Sequence, residues 1–194
     1  MFRYVTFAAG LLSASVVLTG LVSHKLFETF HFWPPEEGSA WTRLYTLCSQ
    51  TLFVAILVTG VLDWSNGPLL WNPVALGGLF AFVVGMLVTV RSASALGADL
   101  TRGEVGELYT DGPYRYSRNP QYVGYMVAFA GYSVFTLSPL VAVLAAGGVG
   151  WMVLMTLIEE SWLRRQYGDA YVAYRERTPR LVGIRSLTRL LRGK

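Results

Sequence analysis

Charge is scarce in this chain. Only 14% of its 194 residues are Asp, Glu, Lys or Arg, against about 25% in an ordinary soluble domain. The chain is 53% hydrophobic, with a mean hydropathy of +0.42. That balance excludes a typical water-soluble domain and makes lipid the main solvent. Cysteine is nearly absent. Cys48 stands alone, which excludes an intrachain disulfide framework and a thiolate metal site built from this chain. There is no internal repeat and no low-complexity run. His24 and His31 have no ligand-spaced partners and read as interface residues, so no metal is expected. Arg3 makes a poor n-region and no small-residue cleavage site leads into a soluble domain, so no signal peptide is expected.

The charge that is present is unevenly placed. The net charge is +4, and Arg164, Arg165, Arg175, Arg177, Arg180, Arg185, Arg189, Arg192 and Lys194 crowd the end of the sequence. Such a tail attracts either a nucleic acid or an anionic membrane surface. In a chain this apolar the expected partners are membrane lipids, and no nucleic acid.

A membrane span needs roughly 20 mostly apolar residues. Three candidates run from about Tyr4 to Val22, Leu44 to Leu62 and Pro73 to Leu96. The block from about Tyr122 to Ile158 is too long for one helix, and Ser138-Pro139 sits near its middle. Proline suits a first helical turn and disrupts a helix interior, so this block predicts a tight hairpin of two helices. The expected fold is therefore all-α: a polytopic membrane protein with about five transmembrane helices. We divide it into an N-terminal membrane region (1–96), a catalytic region with the hairpin (97–182) and a basic amphipathic tail (183–194). Toward the end of the sequence Leu181, Ile184, Leu187, Leu190 and Leu191 fall on roughly one helical face.

Lys and Arg near span ends set orientation. The basic tail predicts a cytoplasmic C-terminus. The loop around residues 97–120, with Arg91, Arg102, Arg115 and Arg118 near it, then falls on the same side. The Asp63–Asn72 loop carries no Lys or Arg and falls outside, as does the N-terminus, against which Arg3 argues. Aromatics, prolines and acids between Phe27 and Trp41, among them His31 and Trp33, suit a membrane–water interface.

Between the third span and the hairpin lies Gly-Pro-Tyr-Arg-Tyr-Ser-Arg-Asn-Pro-Gln-Tyr-Val-Gly, residues 112–124. It combines two arginines and three tyrosines with two prolines that limit the backbone and glycines that permit close approach. Glu159-Glu160 end the fifth span on the same side. Ionisable residues beside a span are costly to bury and are functional candidates by default. The set predicts a polar pocket at the mouth of an apolar bundle, open to a polar cofactor on one side and the bilayer on the other. Taken singly, each residue also reads as an ordinary interface group, and Glu160 with Arg164 as an i,i+4 helix pair. Gly147-Gly148-Val149-Gly150 lacks the strand–helix–strand context of a nucleotide loop and reads as a helix-packing surface.

This arrangement resembles the isoprenylcysteine carboxyl methyltransferase family, together with its phospholipid methyltransferase relatives. That family's core reads Arg-His-Pro-x-Tyr-x-Gly, a helical hairpin, then Glu-Glu. Here Arg118-Asn119-Pro120-Gln121-Tyr122-Val123-Gly124 is followed by Glu159-Glu160, and then by Tyr167-Gly168 with Tyr171 and Tyr174. The likeness covers about residues 105–182, so the first hundred residues are expected to add only spans. Asn119 stands where the family usually has His; it can donate and accept, but does not titrate near neutrality.

The resemblance implies methyl transfer from S-adenosylmethionine to a lipid-like acceptor, a prenylcysteine-type carboxylate or a phospholipid amine. It implies that Gly112, Tyr114, Arg118, Asn119, Tyr122 and Glu159 hold the cofactor. Arg118 would fork onto the methionine carboxylate, Glu159 would pair with the ammonium, and Tyr114 and Tyr122 would line the adenosine and face the sulfonium. Glu160 and Arg164 would orient or deprotonate the acceptor. A second resemblance, to NADPH-dependent membrane sterol reductases, rests on a similar Arg-x-Pro-x-Tyr-x-Gly stretch. Those reductases have more spans and an Arg-Asp-Glu sequence where this chain has Ile158-Glu159-Glu160.

Overall fold

Four of the five long helices open on a side-chain cap or a proline. In the computed structural model, which describes residues 1–27, 39–64, 72–97, 106–183 and 186, α1 spans Phe2–Leu26. Helix α2 spans Ala40–Asp63 and is opened by Ser39, whose Oγ accepts the Thr42 backbone N–H at 3.1 Å. Helix α3 spans Pro73–Leu96; Asn72 Oδ1 accepts from Val74 N at 2.9 Å, and Pro73 occupies the first turn, where its missing N–H costs nothing. A 3-10 turn covers Gly112–Arg115. Helix α4 spans Pro120–Thr136 and α5 spans Pro139–Arg177. The hairpin falls at Ser138-Pro139 as expected. Leu137 takes a left-handed conformation at φ 50°, and Ser138 Oγ caps α5 through the Val141 N–H. No strand occurs among the described residues.

Helices α1, α2, α3 and α5 are long and apolar enough to cross a membrane. Helix α4 has 17 residues, the short end of the spanning range. The chain is an all-α polytopic membrane protein. Large apolar side chains point outward, Phe80 and Leu87 of α3 among them, because lipid rather than water surrounds them.

The termini of the helices sort onto two ends of the bundle. Arg3 Nη1 donates to Asp63 Oδ1 at 3.0 Å, and Ser138 Oγ donates to the other oxygen of the same carboxylate. The start of α1, the end of α2 and the α4–α5 turn therefore meet at one end. The 3-10 turn and Glu159-Glu160 lie at the other. Arg3, the charge that argued against an outside N-terminus, is an ion-pair partner of Asp63.

Helices α3 and α4 touch backbone to backbone through glycines spaced seven apart on both. A Cβ at Gly85 would lie 2.5 Å from the Ala128 backbone nitrogen, and one at Gly124 would lie 2.7 Å from Gly85 O. Gly78 and Gly131 face each other's helix in the same way. Small residues let membrane helices approach closely, where dispersion replaces the hydrophobic effect as the cohesive force. Gly148 likewise seats the Phe129 ring, and Gly147 faces Ala14, which is the packing role expected of that glycine run. Helices α1 and α2 pack together and onto α5, with Phe53, Phe129 and Trp151 meeting in the centre. The expected interfacial stretch around His31 lies outside the described residues, as do Arg102 and most of the tail.

Candidate functional site

The loop keeps its shape through its own residues. Gly112 adopts φ 55°, which favours glycine. Pro113 O accepts the Tyr116 N–H and closes the 3-10 turn. Ser117 Oγ then accepts the Asn119 backbone N–H at 3.1 Å, and Pro120 starts α4.

Helix α5 runs past its apolar stretch and bends. Gly168 has φ 51° and ψ −130°, outside the helical region. The bend returns Tyr171 and Tyr174 to the loop, where Tyr174 Oη donates to the Tyr114 carbonyl at 2.7 Å. Beyond the helix, Thr178-Pro179-Arg180 lies across the loop as a strap. The Arg118 backbone N–H donates to Pro179 O at 2.9 Å. Ser117 Oγ and Asn119 Nδ2 both donate to Arg180 O, at 3.1 and 3.0 Å.

Two acid-centred clusters result. Glu160 gathers three guanidiniums. Arg118 Nη1 donates to its Oε1 at 3.0 Å, Arg180 Nε donates to its Oε2 at 2.6 Å, and Arg175 Nη1 lies 3.5 Å away. Arg118 also donates to Tyr171 Oη at 3.1 Å and sits over that ring, 5.9 Å from its centroid. Its Nε is buried with no hydrogen-bond partner among the described residues. In the second cluster Tyr122 Oη donates to Glu159. Gln121 Nε2 donates to Tyr114 Oη at 3.0 Å, and Tyr109 meets the Tyr114 ring edge-on at 5.6 Å. Burial pushes the Tyr114 phenol well up, so it stays neutral.

The structure brings Tyr114, Arg118, Tyr122, Glu159 and Glu160 to one end of the bundle, between the loop and α5. Three expected site residues sit elsewhere. Gly112 lines a cavity on the α3 side of the loop. The Asn119 side chain is turned to the strap carbonyl. Arg164 is exposed on α5, while Glu160 turns to Arg118, Arg175 and Arg180 rather than along its own helix. In the sequence Arg175 and Arg180 are two of the many tail arginines. The signal that could have found them is the Gly168 bend, which brings the following turns back to the loop.

A buried guanidinium N–H without a partner among the described residues favours an anion, since a buried unpaired donor costs about 1–3 kcal/mol. A carboxylate meeting Arg118 Nε would remove that cost. Glu159, with Tyr122 as its hydrogen-bond donor, offers a negative partner for an ammonium group. An amino acid carrying both charges, attached to an aromatic nucleoside, fits this donor set.

Residues 74–170, half of the chain, match the phospholipid methyltransferase family. Protein-S-isoprenylcysteine O-methyltransferase B of Arabidopsis thaliana is 29% identical over 110 residues, covering 53% of this chain and 55% of that protein. The chain thus spans about half the length of this curated relative. No solved structure matches it. The matched part begins at α3, the helix joined to α4 by the glycine seam. By this match, with the Arg118 loop and the Glu159-Glu160 pair inside it, the chain belongs to the phospholipid methyltransferase family.

Proposed function

We propose that this protein is a membrane methyltransferase using S-adenosylmethionine, with a lipid-like acceptor and the site facing the cytoplasm. Family membership supports the reaction class. The observation that carries the donor assignment is Arg118 Nε, buried beside an acid–aromatic cluster with no partner among the described residues. S-adenosylmethionine supplies, when bound, an electrophilic methyl group on a sulfonium that leaves as a neutral thioether.

The chain's own residues do the positioning. Arg118 takes the donor's carboxylate through Nε while Glu160 and Tyr171 hold its Nη1. Glu159, oriented by Tyr122, takes the ammonium. Tyr114 and Tyr122 offer ring faces to the adenosine and to the positive sulfur. Glu160, already shared by three guanidiniums, acts through Arg118 as a positioning residue. Asn119 holds the strap over the loop, and Gly112 permits the turn that presents Tyr114. Arg164, exposed one turn beyond Glu160, is left to orient an acceptor arriving from the membrane surface. Such a displacement needs alignment more than covalent help, and alignment is what a preorganised loop provides. The acceptor is a prenylcysteine-type carboxylate or a phospholipid amine, both of which reach the site from the bilayer.

Calorimetric titration of the detergent-purified chain with S-adenosylhomocysteine, and separately with NADPH, tests this reading. The expected result is binding of S-adenosylhomocysteine alone. Binding of NADPH alone would assign the site to reductase chemistry.

A further inference from the structure

Arg118 Nε is buried, so a donor's carboxylate reaches it only after a neighbouring element moves. Three elements border Arg118. The loop runs directly into α4 at Pro120, and Tyr171 and Tyr174 of α5 are packed away from solvent. The third element is the strap, whose Pro179 and Arg180 are half-buried. It rests on the loop through two carbonyls. Pro179 O takes the Arg118 N–H, and Arg180 O takes Ser117 Oγ and Asn119 Nδ2. One strap side chain completes the closure: Arg180 Nε donates to Glu160 Oε2 at 2.6 Å, beside the Arg118 contact on Oε1. The Arg180 side chain is 39% exposed and that of Arg118 only 8%. Water competes for an exposed ion pair far more than for a buried one, so Arg180 is the partner of Glu160 that releases first. Both ends of the strap are anchored. Thr178 is buried and its N–H donates to Tyr174 O at 3.0 Å, while Ser186 Oγ donates to Tyr116 O at 2.6 Å.

We propose that Pro179-Arg180 is a gate over the methyl-donor site, latched by Arg180 on Glu160 and by Asn119 on the Arg180 carbonyl. Opening uncovers Arg118, and closing over the bound donor restores the same contacts. The gate rests on the donor reading given above. Local openings draw on segments held by few contacts, and lids that seal a site from water set the rates of entry and release. A latch that grips the loop rather than the ligand has a kinetic signature. Loosening it destabilises the closed state equally with and without the donor, so entry and release both speed up while affinity hardly changes. A residue that only supports the fold shifts the melting temperature or the affinity and leaves the entry rate alone. Arg180 and Asn119 are thus positioning residues that act through the strap.

Two measurements on the full chain in detergent test the gate. Hydrogen exchange of the Arg118 amide needs no ligand and reads release of its contact with Pro179. Surface plasmon resonance with S-adenosylhomocysteine reads entry and release. Arg180→Ala is expected to speed amide exchange, entry and release by about fivefold each, with Kd kept within about twofold. Arg180→Lys keeps the charge and should return all three rates toward wild type. Asn119→Ala loosens the latch from the loop side and should act in the same direction, and it decides the question if Arg180→Ala fails to fold. Wild-type exchange and entry rates in the folded variants overturn the gate. So does a weakened affinity with an unchanged entry rate, which would leave Arg180 and Asn119 as supports of the fold. A wild-type protein that binds no S-adenosylhomocysteine, while Arg180→Ala still speeds amide exchange, overturns the donor reading and the gate's cargo with it.

Discussion

Arg118 Nη1 donates to Glu160 Oε1 at 3.0 Å across 42 positions of sequence, and the two side chains are only 8% and 12% exposed. This pair ties the loop to α5. Removing one member of a buried pair strands the other charge. Glu160→Ala is therefore expected to cost about 3 kcal/mol of stability and to weaken S-adenosylhomocysteine binding, although Glu160 does not itself meet the donor. Thermal melting in detergent and calorimetry read the two effects. A variant that melts like wild type would mean that Tyr171 and the strap carbonyls hold the loop without it.

Tyr122 gives Glu159 its hydrogen bond. A hydrogen bond to a charged group contributes about 1.5–3 kcal/mol, so Tyr122→Phe should lower S-adenosylhomocysteine affinity by about tenfold or more. The ring stays and packing is kept, but the Glu159 carboxylate loses its donor, so the melting temperature should fall as well. An unaltered affinity would separate Glu159 from donor binding.

Gly168 is a backbone requirement rather than a steric one. Nothing lies within 4 Å of where its Cβ would be, yet its φ is 51°. Gly168→Ala should cost about 1 kcal/mol through strain. Relief of that strain by straightening α5 would pull Tyr171 and Tyr174 from Arg118 and the Tyr114 carbonyl. Gly168→Asn should be no milder, since ψ −130° lies outside the left-handed helical well that Asn tolerates. Equal melting temperatures for both variants and wild type would show that the bend does not need glycine.

The α3–α4 seam calls for the opposite signature. A Cβ at Gly85 meets the Ala128 backbone, which cannot rotate away. Gly85→Ala should destabilise the protein by about 1–3 kcal/mol through overpacking and leave the donor affinity of the folded fraction unchanged. A melting temperature equal to that of wild type would show that the two helices have room to separate.

What the sequence made legible follows from where its signals are local. Ser138 before Pro139 marks a helix start inside an apolar block, and the hairpin falls there. The tyrosine, arginine and proline pattern of 112–124 marks a constrained polar loop, and Glu159-Glu160 do approach it. The glycine seam was not legible. In lipid both faces of α3 are apolar, so hydrophobic periodicity does not distinguish the side packed on α4 from the side facing lipid. Arg175 and Arg180 were hidden for a different reason. Among so many arginines, only the bend at Gly168 and the strap at Pro179 select the two that reach Glu160. Arg3 looked like an orientation signal, but its partner Asp63 lies 60 positions away, beyond any local rule.

The central claim is that Arg118 Nε receives the carboxylate of a bound S-adenosyl donor. The most direct test compares wild type and Arg118→Ala for binding of S-adenosylhomocysteine and of methylthioadenosine, which lacks the amino-acid part. The account predicts a loss of roughly tenfold to a hundredfold for S-adenosylhomocysteine and nearly unchanged binding of methylthioadenosine. Equal losses for both ligands would contradict it and make Arg118 a structural residue only.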